Sequence, residues 1–328
     1  MEQKKNFLQH TVQDNTLLPI ELEMLAYIKG RIESESGIKI DTCEKFSRSP
    51  LYDSYLIVSE KRPFILKVNL SPFIPNFWDK LCKENYPFHP PIVSHDLSGD
   101  FNYICFEMPK GIFGSDISKY LLSPKLKLES FFARDLKKLH SFSSSQKDET
   151  IETISSFLPM ESALIQHTFP VAQLFGAVKS AFKNLYVQSP SDCSICHFDL
   201  DVSNIIFSKD EFKFINFEYA ANANKYIELW LAKEVLNCSD ADFDNFISIY
   251  EADKNKLISV KELSELFIFA YMNSKIVSEF MTFGVTNPTK LSTYINKSQK
   301  LYYKIKDKLF IEESLDKTIQ GFYLLWRS

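Results

Sequence analysis

The segment His197-Phe-Asp-Leu-Asp-Val-Ser-Asn204 combines a histidine, two aspartates and an asparagine, and Asn216-Phe-Glu-Tyr-Ala220 begins twelve residues after Asn204. Asp199 offers a carboxylate that can accept the proton of an attacking hydroxyl. The amide oxygen of Asn204, five residues later, can reach a metal ion. Phosphoryl transfer needs positioning and charge neutralisation more than covalent chemistry by the protein. The pattern therefore favours a phosphoryl-transfer site.

Two short apolar runs lie between these segments and are separated by the polar turn Ser208-Lys-Asp-Glu211. The runs Asn204–Phe207 and Phe212–Asn216 predict a β-hairpin. Such a hairpin returns position 216 to the end of the loop, where Asn216 can act as a second metal ligand beside Asn204.

These residues resemble the choline/ethanolamine kinase and aminoglycoside phosphotransferase superfamily, which has H-[GN]-D-x-x-x-x-N, a hairpin and then I-D-[FW]-[EG]. The tail Phe217–Ala220 is most similar to the choline and thiamine kinase branches. The resemblance implies that ATP and Mg²⁺ are the cofactors, that Asp199 is the catalytic base, and that Asn204 and Asn216 are the metal ligands.

Other anchors of the same resemblance lie on both sides of the loop. Ala133–His140 is similar to the family's L-x-x-L-H helix, and Lys67 in Phe64-Ile-Leu-Lys-Val68 fits the strand lysine that contacts the ATP phosphates. The helix partner of Lys67 is either Asp79 or Glu84. Phe106-Glu107-Met108 corresponds to a hinge that meets adenine through backbone groups.

The order of predicted elements gives the fold class. A helix over about 17–35 precedes strand-like runs up to Met108, and helical periodicity dominates after Pro109-Lys-Gly111. We predict an α+β, two-lobed protein kinase-like fold, with a small antiparallel sheet in an N-terminal lobe (1–108) and a mainly helical C-terminal lobe (109–328) that carries the catalytic loop. Lys67, Asp199, Asn204 and Asn216 are then expected to face a shared phosphate and metal.

Composition excludes several function classes. Hydrophobic residues make up 45% of the 328 residues and the net charge is -4, without the clustered basic excess of a nucleic-acid binder. We find no secretory signal and no apolar run long enough for a membrane span, so a cytoplasmic protein is expected.

One cysteine pair matches a cofactor motif. Cys193-Ser-Ile-Cys196-His197 has the C-x-x-C-H pattern of covalent haem attachment. Haem attachment requires export to an oxidising compartment, and no export signal is present. We therefore predict two buried thiols on a strand that enters the loop.

Four features depart from the family pattern. Asn216 replaces an aspartate, which removes a negative charge from the metal site. The segment Ser47–Ser54 contains no glycine, although backbone amides approach phosphates most closely where side chains are small. Glu228 in Tyr226-Ile-Glu-Leu229 stands where the family often has an aspartate, and Phe198 stands where the family has glycine or asparagine.

The resemblance implies an ATP-dependent phosphotransferase that acts on a hydroxyl of a small molecule, of the choline, ethanolamine or thiamine kind. Its cationic group would lie among aromatic rings. Glu218, Tyr219 and Trp230 are the candidate substrate contacts, and Glu228 could also supply negative charge. A pseudokinase with a binding or regulatory role is the alternative, and modification of a protein substrate is a more distant one.

Overall fold

The computed structural model describes residues 19–48, 52–60, 62–69, 76–83, 88–113, 128–141, 148–157, 171–186, 192–208, 211–281 and 288–325.

Ten strands and eleven α-helices lie within these described ranges. The strands are β1 Thr42–Arg48, β2 Tyr52–Ser59, β3 Arg62–Asn69, β4 Ile92–Asp96, β5 Tyr103–Glu107, β6 Ile112–Phe113, β7 Cys193–Cys196, β8 Ile205–Ser208, β9 Glu211–Phe214 and β10 Ala221–Asn224. The helices are α1 Pro19–Ser36, α2 Asn76–Lys83, α3 Leu128–His140, α4 Thr150–Ser156, α5 Val171–Leu185, α6 Lys225–Val235, α7 Asp240–Tyr250, α8 Lys254–Ser259, α9 Lys261–Met281, α10 Pro288–Ile305 and α11 Glu313–Leu325.

Contacts between residues divide the chain into two compact units. The first contains the described residues up to Gly111 together with Lys213–Ile215, and the second contains those of 112–212 and from Asn216 onward.

The first unit is built on a five-stranded antiparallel sheet with the order β1-β2-β3-β5-β4. Helix α1 covers one face of this sheet through Met24, Leu25, Ile28 and Ile32, which pack into a core that includes Tyr55. Burying one large apolar side chain stabilises the folded state by about 1.5–3 kcal/mol. The four side chains of α1 therefore hold this helix on the sheet.

Strand β4 was not predicted from the sequence. It follows Pro90 and Pro91 and pairs only with β5, at the edge of the sheet. A short edge strand needs little intrinsic strand propensity when a neighbouring strand offers its backbone groups.

The second unit is mainly helical and centres on α9, the helix from Lys261 to Met281. Its side chains from Leu266 to Ser274 are all buried, and it packs against α5, α6 and α10. Strands β7 and β10 pair antiparallel, and β6, β8 and β9 form a three-stranded sheet. The predicted α+β class, an antiparallel sheet followed by a mainly helical part, is confirmed.

Two sequence predictions around the loop are also confirmed. The hairpin forms from β8 and β9, and Cys193 and Cys196 are buried thiols on β7, the strand that enters the loop.

Among the described helices, none has both the length and the apolar character needed to cross a bilayer.

Candidate active site

The loop from His197 to Asn204 connects β7 to β8 and is held by bonds within itself. Asn204 Nδ2 donates to the backbone oxygen of Asp199 over 2.9 Å, and the backbone N–H of Asp199 donates to His197 Nδ1 over 3.1 Å. All three side chains are buried. The backbone of Asp199 is therefore held in place by hydrogen bonds within its own loop.

The hairpin brings Asn216 into contact with Asn204. Asn216 Nδ2 donates to Asn204 Oδ1 over 2.5 Å. The backbone of Asn216 is left-handed, with φ 67° and ψ 56°, a conformation that asparagine adopts more readily than most residues. The structure thus brings together the loop amide and the position after the hairpin, as the sequence predicts.

The two asparagines fit a hard divalent cation poorly. Both are neutral, whereas Mg²⁺ is usually bound through one or two carboxylates. The amide oxygen of Asn204 also already accepts a hydrogen from Asn216. The two amides alone therefore do not make a binding site for Mg²⁺.

Asp199 is surrounded by groups from α9 that the sequence motif does not indicate. Lys275 Nζ lies 2.5 Å from Asp199 Oδ1, and the Tyr271 hydroxyl donates to the same oxygen over 3.0 Å. Burial and the charge of Asp199 raise the pKa of Tyr271, so its hydroxyl stays protonated as a donor. Among the residues that the structure describes, these contacts leave Asp199 Oδ2 as the oxygen that can take a proton from an acceptor hydroxyl.

Helix α10 supplies an equivalent pair to Asp201. Lys290 Nζ lies 3.0 Å from Asp201 Oδ2, and the Tyr294 hydroxyl donates to that oxygen. Burial opposes ionisation of Asp201, but the ammonium groups of Lys290 and Lys275 outweigh it and hold the pKa of this carboxyl well below its usual range. Asp201 is therefore a permanent anion at neutral pH.

Glu228 on α6 holds the loop through hydrogen bonds to its backbone and is not a substrate contact. It is 0% exposed. Its carboxylate accepts hydrogen bonds from the backbone N–H groups of His197 (3.1 Å) and Phe198 (2.6 Å). His140 Nε2 lies 2.6 Å from Glu228 Oε2. The suggestion that Glu228 offers its charge to a substrate is wrong, because every one of these partners is internal.

Phe198 has a left-handed backbone with φ 56° and a fully buried ring, which lies 4.4 Å from the ring of Phe267. The left-handed region disfavours a bulky residue by roughly 1–3 kcal/mol. This conformation explains why the family pattern has glycine or asparagine between the histidine and the aspartate. Burial of the ring offsets the strain in this chain.

The side chains of His140, Cys196 and Glu228 have ligand atoms within 4.8 Å of one another. Burial raises the pKa of the Cys196 thiol, which disfavours the thiolate that a metal would require. The carboxylate of Glu228 is occupied by the loop amides. This cluster therefore serves as a hydrogen-bonded support.

The three predicted substrate contacts have different surroundings. Glu218 and Tyr219 lie in the turn after Asn216 and are half-buried, and Lys275 Nζ is 5.6 Å from the ring centroid of Tyr219. Trp230 instead donates Nε1 to the backbone oxygen of Leu257 and packs on Phe243, both of which belong to other helices. Among the described residues, Trp230 contacts side chains and backbone of helices, and none of these contacts is with the loop His197–Asn204.

The predicted nucleotide contacts lie in the first unit. Lys67 is buried on β3, with Nζ 4.1 Å from the ring centroid of Tyr52. Of its two proposed partners, Asp79 is exposed and binds Lys83, whereas Glu84 lies outside the described residues. The tip of the glycine-free segment, residues 49–51, also lies outside them.

The predicted hinge residues already use their backbone donors. The N–H of Glu107 donates to the oxygen of Pro91, and that of Met108 donates to the oxygen of Pro63. An adenine base at this segment would therefore have to use other backbone groups.

No family model matches the chain, and no curated protein matches it by sequence. Solved structures do match. A choline kinase from Streptococcus pneumoniae has a TM-score of 0.57 at 17% identity, over 87% of this chain and 99% of that one. A Plasmodium vivax ethanolamine kinase has a TM-score of 0.53 at 15% identity, over 94% and 96% of the two chains. An ADP-bound aminoglycoside phosphotransferase has a TM-score of 0.50 at 16% identity, over 88% and 99%.

These similarities extend over most of both chains in each pair, so they describe the whole fold and not a single motif. At such low identity they establish the fold alone. The chain thus has the kinase-like fold that choline kinases, ethanolamine kinases and aminoglycoside phosphotransferases share, as its His197–Asn204 segment indicates.

Proposed function

We propose that the protein is an ATP-dependent phosphotransferase that acts on a hydroxyl of a small molecule, with Asp199 as the base. The observation that carries the proposal is the state of Asp199: a buried carboxylate in a fixed loop, with Oδ1 held by Tyr271 and Lys275 and Oδ2 left to the acceptor. Similar solved structures are of small-molecule kinases, including ones bound to ADP and to AMP.

The remaining roles follow the same proposal. Lys67 would contact the nucleotide phosphates, and the backbone around Glu107 and Met108 would meet adenine. For a nucleotide that arrives as its Mg²⁺ complex, Asn204 and Asn216 would offer the ion only neutral amide oxygens, and Asn204 Oδ1 would first have to lose its hydrogen bond from Asn216.

The nature of the acceptor is a finer part of the proposal. The resemblance to choline and thiamine kinases favours an amino alcohol, with Glu218 and Tyr219 near its cationic group. Against a cationic acceptor, the ammonium group of Lys275 already lies beside Asp199 and near the ring of Tyr219.

The test is transfer of phosphate from ATP to a panel of alcohols, with Asp199→Asn as the variant. Because general-base catalysis contributes about 10²–10⁴-fold, the variant should lose that much turnover. Its affinity for ATP should change by less than about threefold, because Asp199 acts on the acceptor. The matched control is Asp244→Asn, the same change at an exposed position of α7. Equal turnover of Asp199→Asn and the parent would contradict the assignment.

A second candidate function rests on the bond between Asn216 and Asn204. The side-chain amides of Asn216 and Asn204 are hydrogen-bonded to each other and do not require a metal ion to be stable. This arrangement favours a pseudokinase that binds a ligand without turnover. Nucleotide-dependent stabilisation without transfer to any alcohol would support this candidate. Ligand at about 100 times its Kd adds about 2.7 kcal/mol of stability.

A further inference from the structure

The ammonium group of Lys275 lies in a position that suits an organic cation. Its Nζ is 2.5 Å from Asp199 Oδ1 and lies 5.2 Å and 5.6 Å from the ring centroids of Tyr271 and Tyr219. A carboxylate together with aromatic ring faces is the combination that binds ammonium groups in proteins. This position, which we call the Asp199 cation site, is already filled by a side chain of the protein itself.

The second aspartate of the loop offers no spare negative charge either. Asp201 is paired with Lys290, as described above. The two aspartates and the two lysines therefore sum to zero charge. An incoming cation would find both aspartates already paired and the position beside Asp199 taken, although the carboxylates of Glu218 and Glu279 lie near Tyr219 and Tyr294.

We propose that Lys275 is a specificity-determining residue that keeps the Asp199 cation site occupied, so that the alcohol reaching Asp199 carries no positive charge. This inference rests on the proposed function, because it takes Asp199 as the place where the acceptor binds. A tethered ammonium has an effective concentration in the millimolar range or above. A free cation must displace it or bind beside a like charge.

The inference separates two ligands of nearly the same shape: choline and dimethylbutanol, its uncharged analogue with a carbon atom in place of the nitrogen. We expect the unmodified full chain to bind dimethylbutanol at least tenfold more tightly than choline. In Lys275→Met, choline affinity should rise by roughly tenfold or more, because the carboxylate and the ring faces are freed. Dimethylbutanol affinity should change less than about threefold.

The measurement is the equilibrium Kd of each ligand, by calorimetry or by ligand-observed NMR. Lys290→Met is the matched control, because it removes the same charge from the neighbouring pair. It should keep the preference of the unmodified chain. Lys275→Arg keeps a cation in place and should also discriminate against choline.

Tighter binding of choline than of dimethylbutanol by the unmodified chain would overturn the inference, and this comparison requires no variant to fold. An unchanged ratio of the two Kd values in a folded Lys275→Met protein would overturn it as well. Failure of both alcohols to bind to the unmodified chain would do the same, since it would place the acceptor elsewhere. The proposed function is judged separately, by phosphate transfer from ATP to any alcohol of the panel.

Discussion

At the scale of single residues, the outcome depends most on Asn216. Its backbone is left-handed, and its amide donates to Asn204 at the position where the sequence pattern has an aspartate. Position 216 thus lies next to the loop amide but carries no negative charge. Charge is the property that a single substitution can restore.

We expect Asn216→Asp to tighten binding of Mg·ATP by about tenfold or more, because a hard cation prefers a carboxylate to a neutral amide. A tenfold change in Kd corresponds to about 1.4 kcal/mol of binding free energy. The change also frees Asn204 Oδ1, since a carboxylate cannot donate a hydrogen to it. The measurement is a calorimetric titration with ATP, with and without Mg²⁺.

Asn237→Asp is the control, because Asn237 is an exposed asparagine that is also left-handed, with φ 57°. It should leave the Mg²⁺ dependence unchanged. Equal Mg·ATP affinity in the parent and in Asn216→Asp would show that position 216 does not face the metal. Gain of turnover in Asn216→Asp would favour a weakened enzyme over the pseudokinase.

At the scale of elements, Glu228 joins three parts of the second unit. It lies on α6, accepts the N–H groups of the loop after β7, and contacts His140 at the end of α3. His140 Nδ1 in turn lies 2.7 Å from the Tyr250 hydroxyl on α7. The shape of the loop His197–Asn204 therefore depends on the packing of helices that are distant from it in sequence.

Glu228→Gln should destabilise the protein by about 1–3 kcal/mol. The new side-chain NH₂ is a donor and cannot accept from the buried backbone N–H groups of the loop, so one of them loses its acceptor. The midpoint of urea unfolding measures this loss. Glu234→Gln, on the same helix but half-buried, should shift the midpoint by much less. Equal shifts in the two variants would mean that Glu228 does not hold the loop.

At the scale of the whole molecule, the two units carry different parts of the proposed reaction. Lys67 belongs to the first and Asp199 to the second. Substitutions in the two units should therefore affect nucleotide binding and acceptor chemistry separately.

Lys67→Met should weaken ATP binding by about 10–100-fold, because hydrogen bonds to charged groups contribute about 1.5–3 kcal/mol. Its Kd for an alcohol acceptor should stay within about threefold of the parent value. The control is Lys39→Met, which removes an exposed lysine from the same unit. Unchanged ATP affinity in Lys67→Met would remove Lys67 from the nucleotide site.

Features that depend on local sequence pattern could be predicted without the structure. Asp199 and Asn204 are five positions apart in one loop. A hairpin made of two apolar runs and a polar turn then returns Asn216 to that loop. The strand with Lys67 follows from a short continuous apolar run, and helix α1 follows from apolar residues at helical spacing. Such signals depend only on neighbours along the chain, which is why they could be interpreted without a structure.

The contacts of Asp199 with Tyr271 and Lys275 could not be predicted from the sequence. Tyr271 lies 72 positions from Asp199, and no periodicity links residues at that separation. Strand β10 likewise forms from Ala221–Asn224, which has little strand propensity, because β7 is buried and its backbone groups require partners. Contacts of this kind arise from the packing of whole helices and strands, since burial selects the pairs that satisfy each other across the fold.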